Sequence, residues 1–180
     1  MRQVIASPED LDRLERLVAA SAESTTKRLG QILSTSAGLS ALAQLKFSTA
    51  GCDPLNHARP LNLVEQLNQS FTYLASIAAA RELFQRHPES APFILNLGTT
   101  AGTDIASLDG RIAAETFAAT DPESNDKLRK DIARVGASQA EHRYVFFLSP
   151  IAARRPAAQG VTVVRLDHAS LAVLPAQNDA

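Results

Sequence analysis

Asp104 and Glu115 are the residues of this chain whose type and placement point most directly to chemistry. They stand in GTDIASLDGRIAAETFAAT, 102–120, on the two arms of an expected hairpin. Their neighbours are Ile, Ala, Thr and Phe, among which carboxylates fit poorly. Acidic residues are depleted in strands, and burying one is costly unless a cation, a proton or several donors compensate it. In the returning arm Ala113, Glu115, Phe117 and Ala119 share one face by period two, and Ile112, Ala114, Thr116 and Ala118 share the other. Small residues on both faces indicate a strand covered on both sides, so Glu115 is not freely solvated. Two such carboxylates from neighbouring strands would suit a hard divalent cation, Mg²⁺ or Mn²⁺. Its remaining coordination positions could take a phosphate oxygen and a nucleophilic water.

The elements that would position these acids are readable around them. LNLVEQLNQSFTYLASIAAARELFQRHP, from 61, has no breaker until Pro88 and predicts a helix of some 25 residues. Leu63, Leu67, Phe71, Leu74 and Ala78 form its apolar stripe. The opposite face, Glu65, Asn68, Gln69, Thr72 and Ser76, is polar but nearly uncharged, as expected of a helix covered on more than one side. Glu65 would then stand at the rim of a polar cavity; a plain surface glutamate is the other reading. Phe93–Leu97 predicts a strand, Thr103–Ser107 a second, and Arg111–Ala119 a third after a two-residue turn at Asp109-Gly110. Ser124 or Asn125 should cap a helix with Leu128, Ile132 and Val135 inside, ended by Gly136. HRYVFFLSP, 142–150, and GVTVVRLDH, 160–168, read as strands, and a helix between two strands favours parallel pairing.

Upstream, Ser7-Pro8 with Glu9 and Asp10 opens a helix, followed by a second helical stretch at 22–33 and a third through LSALAQLKF. The domain division is therefore an N-terminal helical segment 1–48, a linker 49–60 containing STAGCDPLNHARP, and an α/β domain 61–180. The helical segment could pack on the main domain, bind a partner or form a homodimer.

The order helix, strand, strand, strand, helix, strand over 61–150 resembles the core of the PD-(D/E)XK nuclease superfamily, the restriction-endonuclease-like αβββαβ fold. That resemblance implies that Asp104 is the first acid, Glu115 the acid of the (D/E)XK element, and Glu65 the helix glutamate found in many members. It implies Mg²⁺-dependent hydrolysis of nucleic acid. The chain departs from the pattern at ETF, where Phe117 replaces the motif lysine. Some members carry an equivalent cation on the next helix, where Lys127 and Lys130 stand here; both could equally be solvated. Without such a cation, the expectation is a non-catalytic interaction protein on a degenerate nuclease fold.

Other features narrow the field. A chain of 180 residues with 45% hydrophobic content can build one full core and an accessory segment. Its 18 basic and 19 acidic residues give no basic footprint, which weighs against non-specific nucleic-acid binding without excluding a local strip. The single Cys52 excludes an internal disulfide and a four-cysteine zinc site. The opening residues do not form a secretory signal, and no stretch matches a membrane helix, so a cytoplasmic location and no membrane partner are expected. NLGTTAGTD lacks the lysine of a phosphate loop, and no G-x-S-x-G turn is present. His57, His142, His168 and the pair Arg154-Arg155 have no motif partners and read as loop or strand-end residues.

Overall fold

The computed structural model describes residues 1–98, 102–153 and 160–166. The predicted His168 and Arg154-Arg155, the turn residues 99–101, and the end of the last expected strand lie outside them.

The fold is mixed α/β, with a six-stranded sheet, a two-stranded hairpin and four α-helices among the described residues. The core follows the predicted order: α3 (Leu63–Arg86), β4 (Phe93–Asn96), β5 (Ile105–Ser107), β6 (Ile112–Ala118), α4 (Lys127–Gly136) and β7 (His142–Leu148). In the sheet β4, β5 and β6 are successive antiparallel neighbours, and β7 joins β6 in parallel after the α4 crossover. Two further strands extend the edges. β1 (Arg2–Ile5) pairs antiparallel with β4, and β8 (Thr162–Leu166) pairs parallel with β7. The sheet order is thus β1-β4-β5-β6-β7-β8.

The two faces carry separate cores. On one, α1 (Pro8–Thr35) and α3 bury Leu11, Leu14, Val18, Leu74, Ile77 and Leu83 against Leu95, Ile105, Ala114 and Phe146. On the other, α4 buries Leu128 and Val135 against Ala113, Phe117, Val145 and Phe147. β6 lies between them, and every residue from Ile112 to Phe117 is buried, as the small-residue pattern predicted. The middle of α3 is covered on all sides: Tyr73 through Ala80 are buried without exception. This is the physical reason for its missing charges.

The N-terminal region departs from expectation in three places. The two helices expected between Pro8 and residue 33 are one continuous helix of 28 residues. Its polar midsection turns inward: Ser21 and Thr25 are buried, and Ser21 Oγ takes a hydrogen bond from Gln66 Nε2 at 3.0 Å. The expected linker 49–60 holds the hairpin β2 (Gly51–Asp53) and β3 (Asn56–Leu61), closed by Asp53 accepting from the Leu55 and Asn56 N–H groups. Gly51 fits closely there: a Cβ would collide with Thr25 Oγ1 and come within 2.5 Å of Gln66 Oε1, so those side chains would have to shift. Finally, α1 is packed into the main core and β1 is a strand of the main sheet, so the N-terminal segment shares its core with the α/β unit. Only α2 (Gly38–Phe47) stands clear, with Ala41 its sole buried residue and Leu39, Leu42 and Phe47 exposed. Among the described residues no helix is long and apolar enough to cross a membrane.

Candidate active site

Register brings Asp104 and Glu115 together. The β5–β6 pairing ends at Ile105 and Ala114, and Asp104 and Glu115 are the next residues on the two arms. They are near enough that the charge of Asp104 acts on the Glu115 carboxyl. The turn between the strands spans four residues, 108–111, instead of the two expected. Ser107 Oγ holds it by contacting Asp109 Oδ1 at 2.5 Å and accepting from the Ile112 N–H at 2.9 Å. Asp104 is half-buried, and its Oδ2 accepts from the Thr116 N–H at 2.8 Å and the Thr116 hydroxyl at 3.3 Å. Thr116 is in turn 2.7 Å from Ser76 Oγ of α3, which fixes the strand edge that holds Asp104.

Glu115 points away from α3, toward α4, and is fully buried. Its Oε2 accepts from Arg134 Nη1 at 2.8 Å; its Oε1 has no hydrogen-bond partner. Burial first, and the charge of Asp104 second, push its carboxyl from 4.5 up to about 7, against the opposing pull of Arg134. α4 contributes a second buried acid, Asp131, whose oxygens lie 2.8 and 2.7 Å from Lys127 Nζ. Burial raises the Asp131 carboxyl despite that ammonium. Lys127, Asp131 and Arg134 follow helical spacing of four and three, which aligns them on the face that α4 turns to β6. The site is therefore three carboxylates threaded by two cations, with both cations half-exposed at its outer edge.

The sequence-predicted residues divide cleanly. Asp104, Glu115 and Lys127 belong to this cluster. Lys127 Nζ also stands over the Phe117 ring, 5.6 Å from its centroid, where the side chain at the motif-lysine position lies. Lys130 does not join: it is exposed, and its ammonium donates to the Asn125 carbonyl at 3.1 Å. Glu65 does not join either. It is exposed in the first turn of α3, where its Oε2 accepts from the Asn62 N–H and its own N–H donates to Asn62 Oδ1, both at 3.0 Å. The reciprocal pair is a helix cap. α3 also covers the Thr116 face of β6, while Glu115 lies on the other. Arg134 and Asp131 are the residues that sequence reasoning missed. Their signal was the helical spacing from Lys127, which places charged residues among the apolar positions Leu128, Ile132 and Val135.

The remaining candidates have structural roles. His57 Nε2 contacts the Pro54 carbonyl at 3.1 Å within the hairpin. His142 stacks on His87 with ring centroids 4.4 Å apart, and His87 is 2.7 Å from the Tyr144 hydroxyl. Cys52 is a free, half-buried thiol. α4 starts after a 3-10 turn, with Asp126 at its N-cap in place of the expected Ser124 or Asn125.

The donor set can be tested against a divalent ion. Among the described residues no three His, Cys, Asp or Glu side chains converge at ligand geometry. The protein offers two carboxylates, Asp104 and Glu115, and the buried partnerless Oε1 of Glu115 is the atom that a cation would satisfy. That fits a hard ion retaining most of its waters. The chain matches no protein-family model, no curated protein and no solved structure.

Proposed function

We propose that the chain is a metal-dependent nuclease, hydrolysing phosphodiester bonds of nucleic acid at the Asp104–Glu115 site, as a divergent relative of the PD-(D/E)XK superfamily. The observation that supports this reading is the proximity of Asp104, just before β5, to Glu115 of β6, inside an αβββαβ order, with Arg134 of α4 bonded to Glu115. Mg²⁺ or Mn²⁺ held by Asp104 and Glu115 would supply an acidified water and neutralise charge building on phosphorus. The chain's own groups do the rest. The Thr116 N–H and hydroxyl both bond Asp104 Oδ2 and so orient its carboxylate. Asp131 positions Lys127 over Phe117, returning a cation to the place of the missing motif lysine. Arg134 shields the Glu115 charge, and its half-exposed guanidinium is available to a bidentate phosphate contact. A cytoplasmic location and a nucleic-acid partner are parts of this proposal.

The test is thermal unfolding with and without divalent ion, alongside cleavage of labelled DNA and RNA. At an ion concentration ten times its Kd the expected stabilisation is about 1.4 kcal/mol, which corresponds to roughly 3–6 °C for a chain of this size. Asp104→Ala and Glu115→Gln should each abolish it. Absence of any shift with wild type at millimolar Mg²⁺ and Mn²⁺ would overturn the metal site.

One observation favours a second reading, a non-catalytic interaction protein on the same fold. Glu115 already has Arg134 as its counter-ion, and α2 presents Leu39, Leu42 and Phe47 at 84%, 61% and 77% exposure as a surface for a partner or a second copy. In that case the metal shift is absent, and Leu39→Ser weakens self-association in sedimentation.

A further inference from the structure

Where the middle of α3 meets β6, the contact is built of small apolar side chains with one exception. Ala75, Ala78, Ala79 and Ala80 of α3 share one core with Ile112 and Ala114 of β6. Ser76 and Thr116, at 2% and 3% exposure, instead bring two hydroxyls to 2.7 Å of each other inside that core. A buried hydroxyl must be paired or it destabilises the fold. Alanine at position 76 would suit the helix with no such demand.

The pair leads to Asp104. Just beyond the last paired residues of β5 and β6, Asp104 Oδ2 accepts from the Thr116 N–H at 2.8 Å and from the Thr116 hydroxyl at 3.3 Å. Each hydroxyl has a single proton to give. When Thr116 donates to Asp104, its oxygen is left to accept from Ser76. The Ser76 proton has two acceptors in reach, and Thr116 Oγ1 at 2.7 Å is nearer than the Thr72 carbonyl at 3.1 Å. A chain of donors thus runs from the covered middle of α3 to a half-buried carboxylate at the sheet edge. Without Ser76, the Thr116 side chain loses the contact that holds its rotamer. Hydrogen bonds to a ligating carboxylate fix its orientation, and a metal site depends on them as well as on its ligands.

We propose that Ser76 is a positioning residue: acting through Thr116, it sets the orientation of the Asp104 carboxylate and thereby the affinity of the acidic site for a divalent cation. This role rests on the metal-site reading above.

Titration of the full chain with Mn²⁺, read from the EPR signal of the free ion, tests it. Ser76→Ala should weaken binding about tenfold. Thr116→Val should weaken it at least as much, and Thr116→Ser should restore most of the affinity. Because Ser76 acts through Thr116, the double variant Ser76→Ala/Thr116→Val should bind no more weakly than Thr116→Val alone. Ser70→Ala is the control: it removes another buried hydroxyl of α3, one bonded to Gln66, and should leave the affinity unchanged. Alanine is the best helix former, so both serine variants should keep the fold, as circular dichroism would confirm. The proposal is overturned if Ser76→Ala or Thr116→Val binds as tightly as wild type, if Ser70→Ala weakens binding equally, or if the losses at 76 and 116 add in full. A wild type that takes up no Mn²⁺ removes the metal site and this role together. A wild type that binds, beside an unimpaired Ser76→Ala, removes the positioning role alone.

Discussion

Glu115 makes stability depend on pH in a direction opposite to that of an ordinary paired carboxylate. Its carboxyl is raised from 4.5 to about 7, first by burial and then by Asp104. The native state therefore holds this proton more tightly than the unfolded chain does. The resulting stabilisation is complete below pH 4.5, declines between 4.5 and 7, and is gone above 7. The full rise corresponds to roughly 3 kcal/mol. Arg134 and Lys127, which offset it, are 54% and 41% exposed, and solvent screening at that edge reduces the expected effect to about 2 kcal/mol. Urea unfolding at pH 5, 6, 7 and 8 measures it, on wild type and on Glu115→Gln. Asp104, Asp131, Lys127 and Arg134 face the same carboxyl and are present in both proteins, so the comparison isolates Glu115. Wild type should lose about 2 kcal/mol more than the variant between pH 5 and 8, or roughly 4–8 °C in Tm. Equal pH slopes in the two proteins would refute the argument that Glu115 is held in a desolvated, acid-flanked position.

Four further outcomes follow from the same contacts. Arg134→Ala removes the counter-ion of a fully buried carboxylate and should cost about 3 kcal/mol at pH 8, and visibly less at pH 5, where Glu115 is protonated; chemical denaturation at both values checks this. Thr116→Val breaks the hydroxyl contacts to Ser76 and Asp104 and should destabilise by about 1–2 kcal/mol, with Thr116→Ser recovering most of it in the same melt. Gly51→Ala forces a methyl into Thr25 and Gln66 and should cost about 1–3 kcal/mol, read by urea midpoint. Glu65→Ala removes a helix cap, so it should cost about 1 kcal/mol while leaving any Mg²⁺-induced Tm shift intact, unlike Asp104→Ala.

What was legible along the chain follows from how local each cause is. β4, β6, β7, α3 and α4 declare themselves through apolar period and breakers, and the α4 crossover makes β6 and β7 parallel neighbours by topology alone. β3 does not declare itself. NHARPL contains Pro60, lacks alternation, and is largely exposed; it is extended because it closes a hairpin with β2. β1 is four residues long and exists as a strand through its pairing with β4. The continuity of α1 was hidden for the opposite reason. Ser21 and Thr25 interrupt its apolar stripe, and the compensation, a hydrogen bond from Gln66, lies 45 residues away.

The same distinction explains why the acids were visible and their cations were not. Asp104 and Glu115 stand out because their immediate neighbours are wrong for carboxylates, and that is a property of a short window. A motif lysine two positions after Glu115 would have been equally local, since period two puts both side chains on one face. With Phe117 there instead, stacked on Phe147, the sheet face becomes apolar and closes against Leu128 and Val135. A cation can then reach Glu115 only from the element that covers this face. α4 is that element, and it offers the positions three residues after and four residues before its buried Asp131. Arg134 takes one and reaches Glu115 across 19 residues of sequence. Lys127 takes another and stands over the phenylalanine itself. The aromatic ring at position 117 and the cations on α4 are thus parts of one geometric arrangement. Introducing lysine by Phe117→Lys in the presence of Arg134 and Lys127 should therefore destabilise the fold, because a third cation enters a face packed for an aromatic ring.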